Sequence, residues 1–444
     1  MSKGLSKQQL RVLAFVWVGV VIAIGVCVFL GILAALRAQE ERQQAAATPA
    51  TPAEGQSVQP TPLPVDPTDV AATVTIQPTL PPNQDPAFGY GIQTQLHVNT
   101  ESTLDQIEQL GLNWVKFQVR WADLEPAQGQ PSWDALDAIF AATSQRNIKV
   151  LVNIVAAPDW ARSVTADGFV GPPDDPQTYV SYVSQFLQRY QGAVHAIEVW
   201  NEPNLSERGW YTAGGLSSAD YLNLLIPTAQ AIRAIDPNVI IISAALSPTG
   251  VDDGVIAIND FRYLRELIDQ GMLNYVDCVG AHANGINLPP DLSAEEAYAQ
   301  GAPPGTLFIG PYDRGNPANP HPSWSFYSTL NGYHDIIVAS GGSTPLCVTE
   351  FGWASLEGME GEPLLPDFGF AYDNSLQEQA DNIVRAFELM HDWGFVKLAI
   401  LFNLDYSPKN GGDPKIDATM FSIVNPDGSP RPAFEAVMAM DKPS

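Results

Sequence analysis

Two short segments hold most of the chemistry this sequence can do. Val199-Trp200-Asn201-Glu202-Pro203-Asn204 and Val348-Thr349-Glu350-Phe351-Gly352-Trp353 each close an apolar, β-rich run on a carboxylate. The two glutamates stand 148 residues apart, so they act together only if the fold brings distant strand ends to one place. Two carboxyl groups facing across a pocket suit hydrolysis of a glycosidic bond. One protonates the leaving oxygen, and the other attacks the anomeric carbon or activates water. Alone, each motif is also compatible with an ordinary loop start; it is the pair that points to chemistry.

The elements that must position them are eight β-rich runs: Phe88–Leu96, Trp114–Trp121, Lys149–Val155, Ala196–Trp200, Val239–Leu246, Tyr275–Ala283, Leu346–Phe351 and Lys397–Leu404. Amphipathic stretches alternate with them, from Ser102–Leu110 to a last one near Pro432–Met440. Eight β/α alternations over about 350 residues predict a (β/α)8 barrel, an α/β TIM barrel, rather than a doubly wound sheet. No run is followed by a G-x-G-x-x-G or G-x-x-x-x-G-K turn, and no G-x-S-x-G elbow is present. In such a barrel the chemistry gathers where strands enter the loops that follow them. Those ends supply Arg120, Trp160, Asn201 with Glu202, His282, Glu350 with Trp353, and Tyr406.

Composition narrows the partners. The 444 residues hold 22 Lys plus Arg against 49 Asp plus Glu, a net charge of −27, which disfavours nucleic acid and anionic membrane surfaces. Three cysteines make no disulfide framework, and six scattered histidines without an HExxH pattern suggest no metal site and no cofactor.

At the two carboxylate motifs the chain resembles glycoside hydrolase clan A, closest to the retaining enzymes of families 39 and 5. The resemblance extends over the barrel and includes Asn425-Pro426-Asp427-Gly428 and Arg431-Pro432-Ala433-Phe434. It implies Glu202 as general acid/base, Glu350 as nucleophile and Asn201 as the partner of the sugar 2-hydroxyl. Arg120 resembles the clan's second-strand arginine and is expected to favour the ionised nucleophile by charge and hydrogen bonding. His282 stands where clan members often place a His or Tyr beside the nucleophile. Trp160, Trp210, Trp353 and Tyr406 are candidates to stack on sugar rings. The eighth strand offers Phe402-Asn403-Leu404-Asp405 where many clan members have a tryptophan, and the third strand end lacks the frequent histidine. A nucleophile–acid gap near 5–5.5 Å is the expectation for retention, with Trp200 and Trp210 excluding water to keep Glu202 protonated.

Ahead of the barrel, Val12–Leu36 is a 25-residue run without a charge, about 37 Å as helix, long enough to span a bilayer. Lys3, Lys7 and Arg11 precede it, so residues 1–11 are expected in the cytoplasm, 12–36 in the plasma membrane and the rest outside. Residues 37–86 read as a Pro/Thr/Ala-rich linker, and 87–444 as the catalytic domain. Strand alternation places Cys278 toward the barrel interior and Cys347 toward the helices, which predicts two buried thiols and no bridge. Three functions fit: a membrane-anchored retaining glycosidase acting on poly- or oligosaccharide, a transglycosylase, and a non-catalytic carbohydrate-binding barrel. The last needs neither glutamate. Sugar, linkage, endo or exo action and oligomeric state are not legible.

Overall fold

A computed structural model describes residues 87–300, 315–316, 319–363 and 368–443. The apolar run 12–36 and the linker 37–86 lie outside them. Among the described residues, no helix is long and apolar enough to cross a membrane.

The eight runs form eight parallel strands: β1 (Gly89–Gln93), β2 (Trp114–Arg120), β3 (Lys149–Val155), β4 (Ala196–Val199), β5 (Ile240–Ser243), β6 (Val279–His282), β7 (Leu346–Phe351) and β8 (Val396–Leu401). Their order in the sheet is β5-β4-β3-β2-β1-β8-β7-β6, and bridges Ile242↔Cys278 and Leu246↔Ala281 join β5 to β6 and close the ring. The principal helices between and after them are α1 (Thr100–Gln109), α2 (Asp134–Gln145), α3 (Pro176–Arg189), α4 (Ser218–Ile235), α5 (Asp260–Asp269), α6 (Phe326–Ala339), α7 (Leu376–Trp393) and α8 (Pro432–Ala439). Local chemistry sets their starts. Asp175 caps α3 ahead of Pro176, Ser217 caps α4, and Ser375 with Glu378 forms a reciprocal capping box on α7. Outward-facing strand residues such as Val115, Phe117, Val150, Val152 and Ile197 join the helices' apolar faces in the main core.

The inward-facing residues form layers that differ in polarity. Trp114, Leu151, Ala196, Ile240, Ile242, Leu398 and Ile400 make an apolar floor. Two residues further along three strands stand Lys116, Asn153 and Glu198, all fully buried. Because side chains alternate faces with a period of two, these polar residues sit directly above the floor.

One expectation is corrected here. Cys278 and Cys347 both join the floor and form a disulfide, with Cα atoms 5.7 Å apart. Strict alternation along β7 fails because the register against β6 slips from Ala281↔Val348 to His282↔Glu350, leaving one extra residue on β7. Such a bulge lets Cys347 and Glu350, three residues apart, both face the interior. Closing a 69-residue separation, the bridge stabilises by roughly 2–5 kcal/mol. Denatured, unreduced full-length chain is therefore expected to expose one titratable thiol of three, rising to three on reduction; three thiols without reductant would contradict the bridge.

Candidate active site

Glu202 follows β4 on a backbone that L-residues rarely adopt, with φ of 75° at Trp200 and 45° at Glu202. The surroundings hold it there. Glu202 N–H donates to the Ala245 carbonyl at 3.0 Å, the Trp200 indole donates to the Gly209 carbonyl at 2.7 Å, and Asn153 Nδ2 donates to the Trp200 carbonyl at 2.7 Å. Gly209 has no alternative: a Cβ there would strike the Glu202 carbonyl and stand 2.9 Å from that of Asn201. Strained backbone that is overdetermined by its neighbours is a mark of functional sites.

Glu350 is held from below. The Lys116 ammonium reaches Glu350 Oε1 at 3.2 Å, Glu198 Oε2 at 3.1 Å and the Thr349 carbonyl at 3.2 Å. Thr349 Oγ1 donates to Glu198 Oε1 at 3.0 Å, and Ala245 N–H donates to the same oxygen at 3.1 Å. Burial pushes the Lys116 pKa down, but the charges of Glu198 and Glu350 outweigh it and leave the ammonium more firmly protonated than usual.

His282 joins the two glutamates. Its Nδ1 lies 2.9 Å from Glu202 Oε1, and its Nε2 lies 3.8 Å from Glu350 Oε1. Burial lowers the imidazole pKa, yet the Glu350 charge and the Glu202 hydrogen bond reverse that, and the net shift is upward. For Glu202, burial pushes the carboxyl up, but the His282 hydrogen bond and charge, with Arg208 adding to them, leave it below the usual carboxylate range. The expectation that desolvation keeps Glu202 protonated is therefore replaced. Both shifts favour the imidazole over the Glu202 carboxyl as holder of the proton they share.

These groups open into a cavity of about 840 Å³. Glu202, Glu350, Asn201, Arg120, His282 and Tyr406 all line it. Arg120 does not serve Glu350, however. It is half exposed and pairs with Asp123 at 3.3 Å, because Lys116, four residues earlier on the same face, already fills the space beneath the carboxylate. Three of the four expected stacking residues are displaced into packing roles. Trp353 is fully buried, with its indole donating to the Leu288 carbonyl at 2.9 Å. Trp210 packs edge-on against Trp200 and Tyr221, and Trp160 packs edge-on against Trp121 while donating to the Glu125 carbonyl at 2.8 Å. Aromatic lining comes instead from Phe368, Phe370, Phe402, Tyr406 and Phe421.

Two lining or supporting residues were missed. Lys116 had a signal, a lone charge inside an apolar strand. Gln93 had none: it is buried at the end of β1, donates Nε2 to Tyr406 Oη at 3.1 Å, and leaves Oε1 buried with no protein donor. Such an acceptor on a cavity wall suits a ligand hydroxyl.

A family model described as Cellulase (glycosyl hydrolase family 5) matches residues 82–253, a span that includes Glu202 but not Glu350. No curated protein matches. Among solved structures, a family 39 glycoside hydrolase from Bacteroides cellulosilyticus superposes with a TM-score of 0.56 at 16% identity, over 82% of this chain and 64% of that one. A GH39 enzyme from Xanthomonas axonopodis pv. citri gives 0.53 at 19% identity, over 79% and 65%, and a GH39 β-xylosidase from Caulobacter crescentus 0.51 at 18%, over 79% and 70%. The chain thus spans just under two thirds of the first two, and it shares their fold.

Lys116→Met is expected to strand Glu198 and Glu350 as uncompensated buried charges and to cost about 3–5 kcal/mol, read as a fall in Tm. Adding Glu198→Leu should recover part of that stability without restoring activity. Equal stability of Lys116→Met and wild type would contradict the charge assignment.

Proposed function

We propose that the chain is a retaining glycoside hydrolase, with Glu350 as nucleophile and Glu202 as general acid/base. The observation that carries this reading is the single imidazole between the two carboxyls, 2.9 Å from one and 3.8 Å from the other. The ring brings both carboxyls to one cavity. Retention uses a carboxyl spacing of about 5–5.5 Å and inversion about 6.5–9.5 Å to admit a water, and the resemblance of the two motifs to retaining enzymes favours the former.

The groups divide the work by environment. Lys116 holds positive charge against Glu350, which favours the ionised form that attacks. As Glu350 Oε bonds to the anomeric carbon, the glycosidic C–O bond breaks and the leaving oxygen takes a proton from Glu202. His282 supplies that proton across the 2.9 Å contact when substrate displaces water and makes the separated charges costlier. In the second step Glu202 accepts a proton from water, which attacks the anomeric carbon and frees Glu350. Asn201 and Gln93, each with a buried side-chain oxygen lacking a protein donor, are placed to receive sugar hydroxyls.

The reading extends to location. A disulfide between Cys278 and Cys347 persists best in an oxidising compartment, and the charge-free run 12–36 has the length of a membrane anchor. Both favour a plasma-membrane protein with its barrel outside, acting on poly- or oligosaccharide.

A panel of aryl glycosides, with the first-formed anomer read by NMR, tests the chemistry. Retained product from wild type is expected, and inverted product contradicts the mechanism. Glu350→Gln should lose activity on every substrate. Glu202→Gln should lose on the order of 10²–10⁴-fold with poor leaving groups and far less with activated phenols, which need no proton. The basic limb of the kcat/KM profile reports loss of the proton shared by Glu202 and His282, so it should lie above the ordinary histidine value of about 6.5. His282→Asn should move that limb to lower pH, because Glu202 then titrates without its partner. An unmoved limb would remove His282 from the proton path.

A further inference from the structure

We propose that an ion pair between Arg208 and Asp417 bars the mouth of the cavity, so that the enzyme works on chain ends and short glycosides rather than on the interior of a polysaccharide. This rests on the glycosidase reading above and adds to it which substrates reach the two glutamates.

Topology makes the contact informative. Arg208 lies in the loop after β4, and Asp417 begins the short helical turn Asp417–Met420 after β8. In the ring order, β4 and β8 are four strands apart in either direction and so face each other across the barrel. A bond between their loops must cross the opening. It is made: Arg208 Nη1 donates to Asp417 Oδ2 at 2.7 Å, and both residues line the cavity that contains Glu202 and Glu350.

Each end of the bar is anchored close to the chemistry. Arg208 precedes Gly209, which packs directly on the Glu202 carbonyl, and the guanidinium is near enough to help depress the Glu202 pKa. On the other side, the Ala418 carbonyl accepts from Asn403 Nδ2 at 2.7 Å, tying the turn to the residues that follow β8. The bar therefore crosses the cavity in which the glycosidic bond would be cut. A polysaccharide cut internally needs clear passage on both sides of that bond, whereas a chain end enters from one side.

Both side chains are partly exposed, at 48% and 33%, so the pair is a latch rather than a fixed wall. An exposed ion pair of this kind shifts an equilibrium by up to about five-fold. Its charges are screened in concentrated salt, where the Debye length falls to about 3 Å.

The test uses the full chain and one neutral sugar offered both as an aryl glycoside and as a soluble polysaccharide. Wild type is expected to release small products from the polysaccharide with only a slow fall in viscosity for each bond cut. Arg208→Ala and Asp417→Ala should each raise the ratio of polysaccharide to aryl-glycoside kcat/KM by about five-fold and hasten the viscosity loss to a similar degree. The reversed pair, Arg208→Asp with Asp417→Arg, should return the ratio toward wild type. In wild type, 1 M NaCl should raise the same ratio without any substitution, a readout that does not depend on variants folding. Rapid viscosity loss by wild type, or a ratio unmoved by both salt and substitution, overturns the latch while leaving the glycosidase reading intact. No turnover of any glycoside by wild type overturns that reading, and the latch with it.

Discussion

Five ionisable groups crowd one site: Glu198, Lys116 and His282 are buried, and Glu202 and Glu350 stand at the cavity wall with side chains 19% and 11% exposed. The site depends on their balance. An isolated buried charge costs several kcal/mol, and these tolerate burial only because each touches an opposite partner. Lys116 is spent on Glu198 and Glu350 together, and His282 on Glu202, with Glu350 at longer range. The unequal sharing separates the two outer glutamates. One faces a fixed ammonium that cannot give up its proton cheaply, and the other faces an imidazole that can.

The barrel imposes that balance through the layering of its interior. Apolar side chains and the Cys278–Cys347 bridge fill the floor, so the next inward residues are the first that can be polar and still reach the rim. Lys116, Asn153 and Glu198 occupy that level and support the strained backbone carrying Glu202 above. On β7 the slip in register keeps Glu350 inward even though Cys347 already is. Without the slip, alternation would turn one of the two toward the helices.

The barrel was legible because short, apolar, β-rich runs alternate with helical ones, and the two glutamates were legible because they end such runs. Arg120 was misread and Lys116 overlooked for one reason. Residues 116, 118 and 120 share a face, and sequence alone does not reveal how far up the barrel each stands. The same limit misplaced Trp160, Trp210 and Trp353: an aromatic next to a strand end faces the cleft or the helix layer according to loop geometry that no local pattern encodes. The disulfide was missed because a bulge leaves no composition signature. Gln93 was invisible, since its role depends on Tyr406, 313 residues away.

The proposed division of labour between Glu350 and Glu202 is tested most directly by trapping. A 2-deoxy-2-fluoro glycoside with an activated leaving group slows both steps and lets the covalent glycosyl-enzyme accumulate for peptide mass spectrometry. The arrangement of charges predicts one sugar per chain, on the peptide containing Glu350, in wild type and in His282→Asn alike. A sugar on Glu202, or inactivation-free turnover with no adduct on either residue, would contradict it.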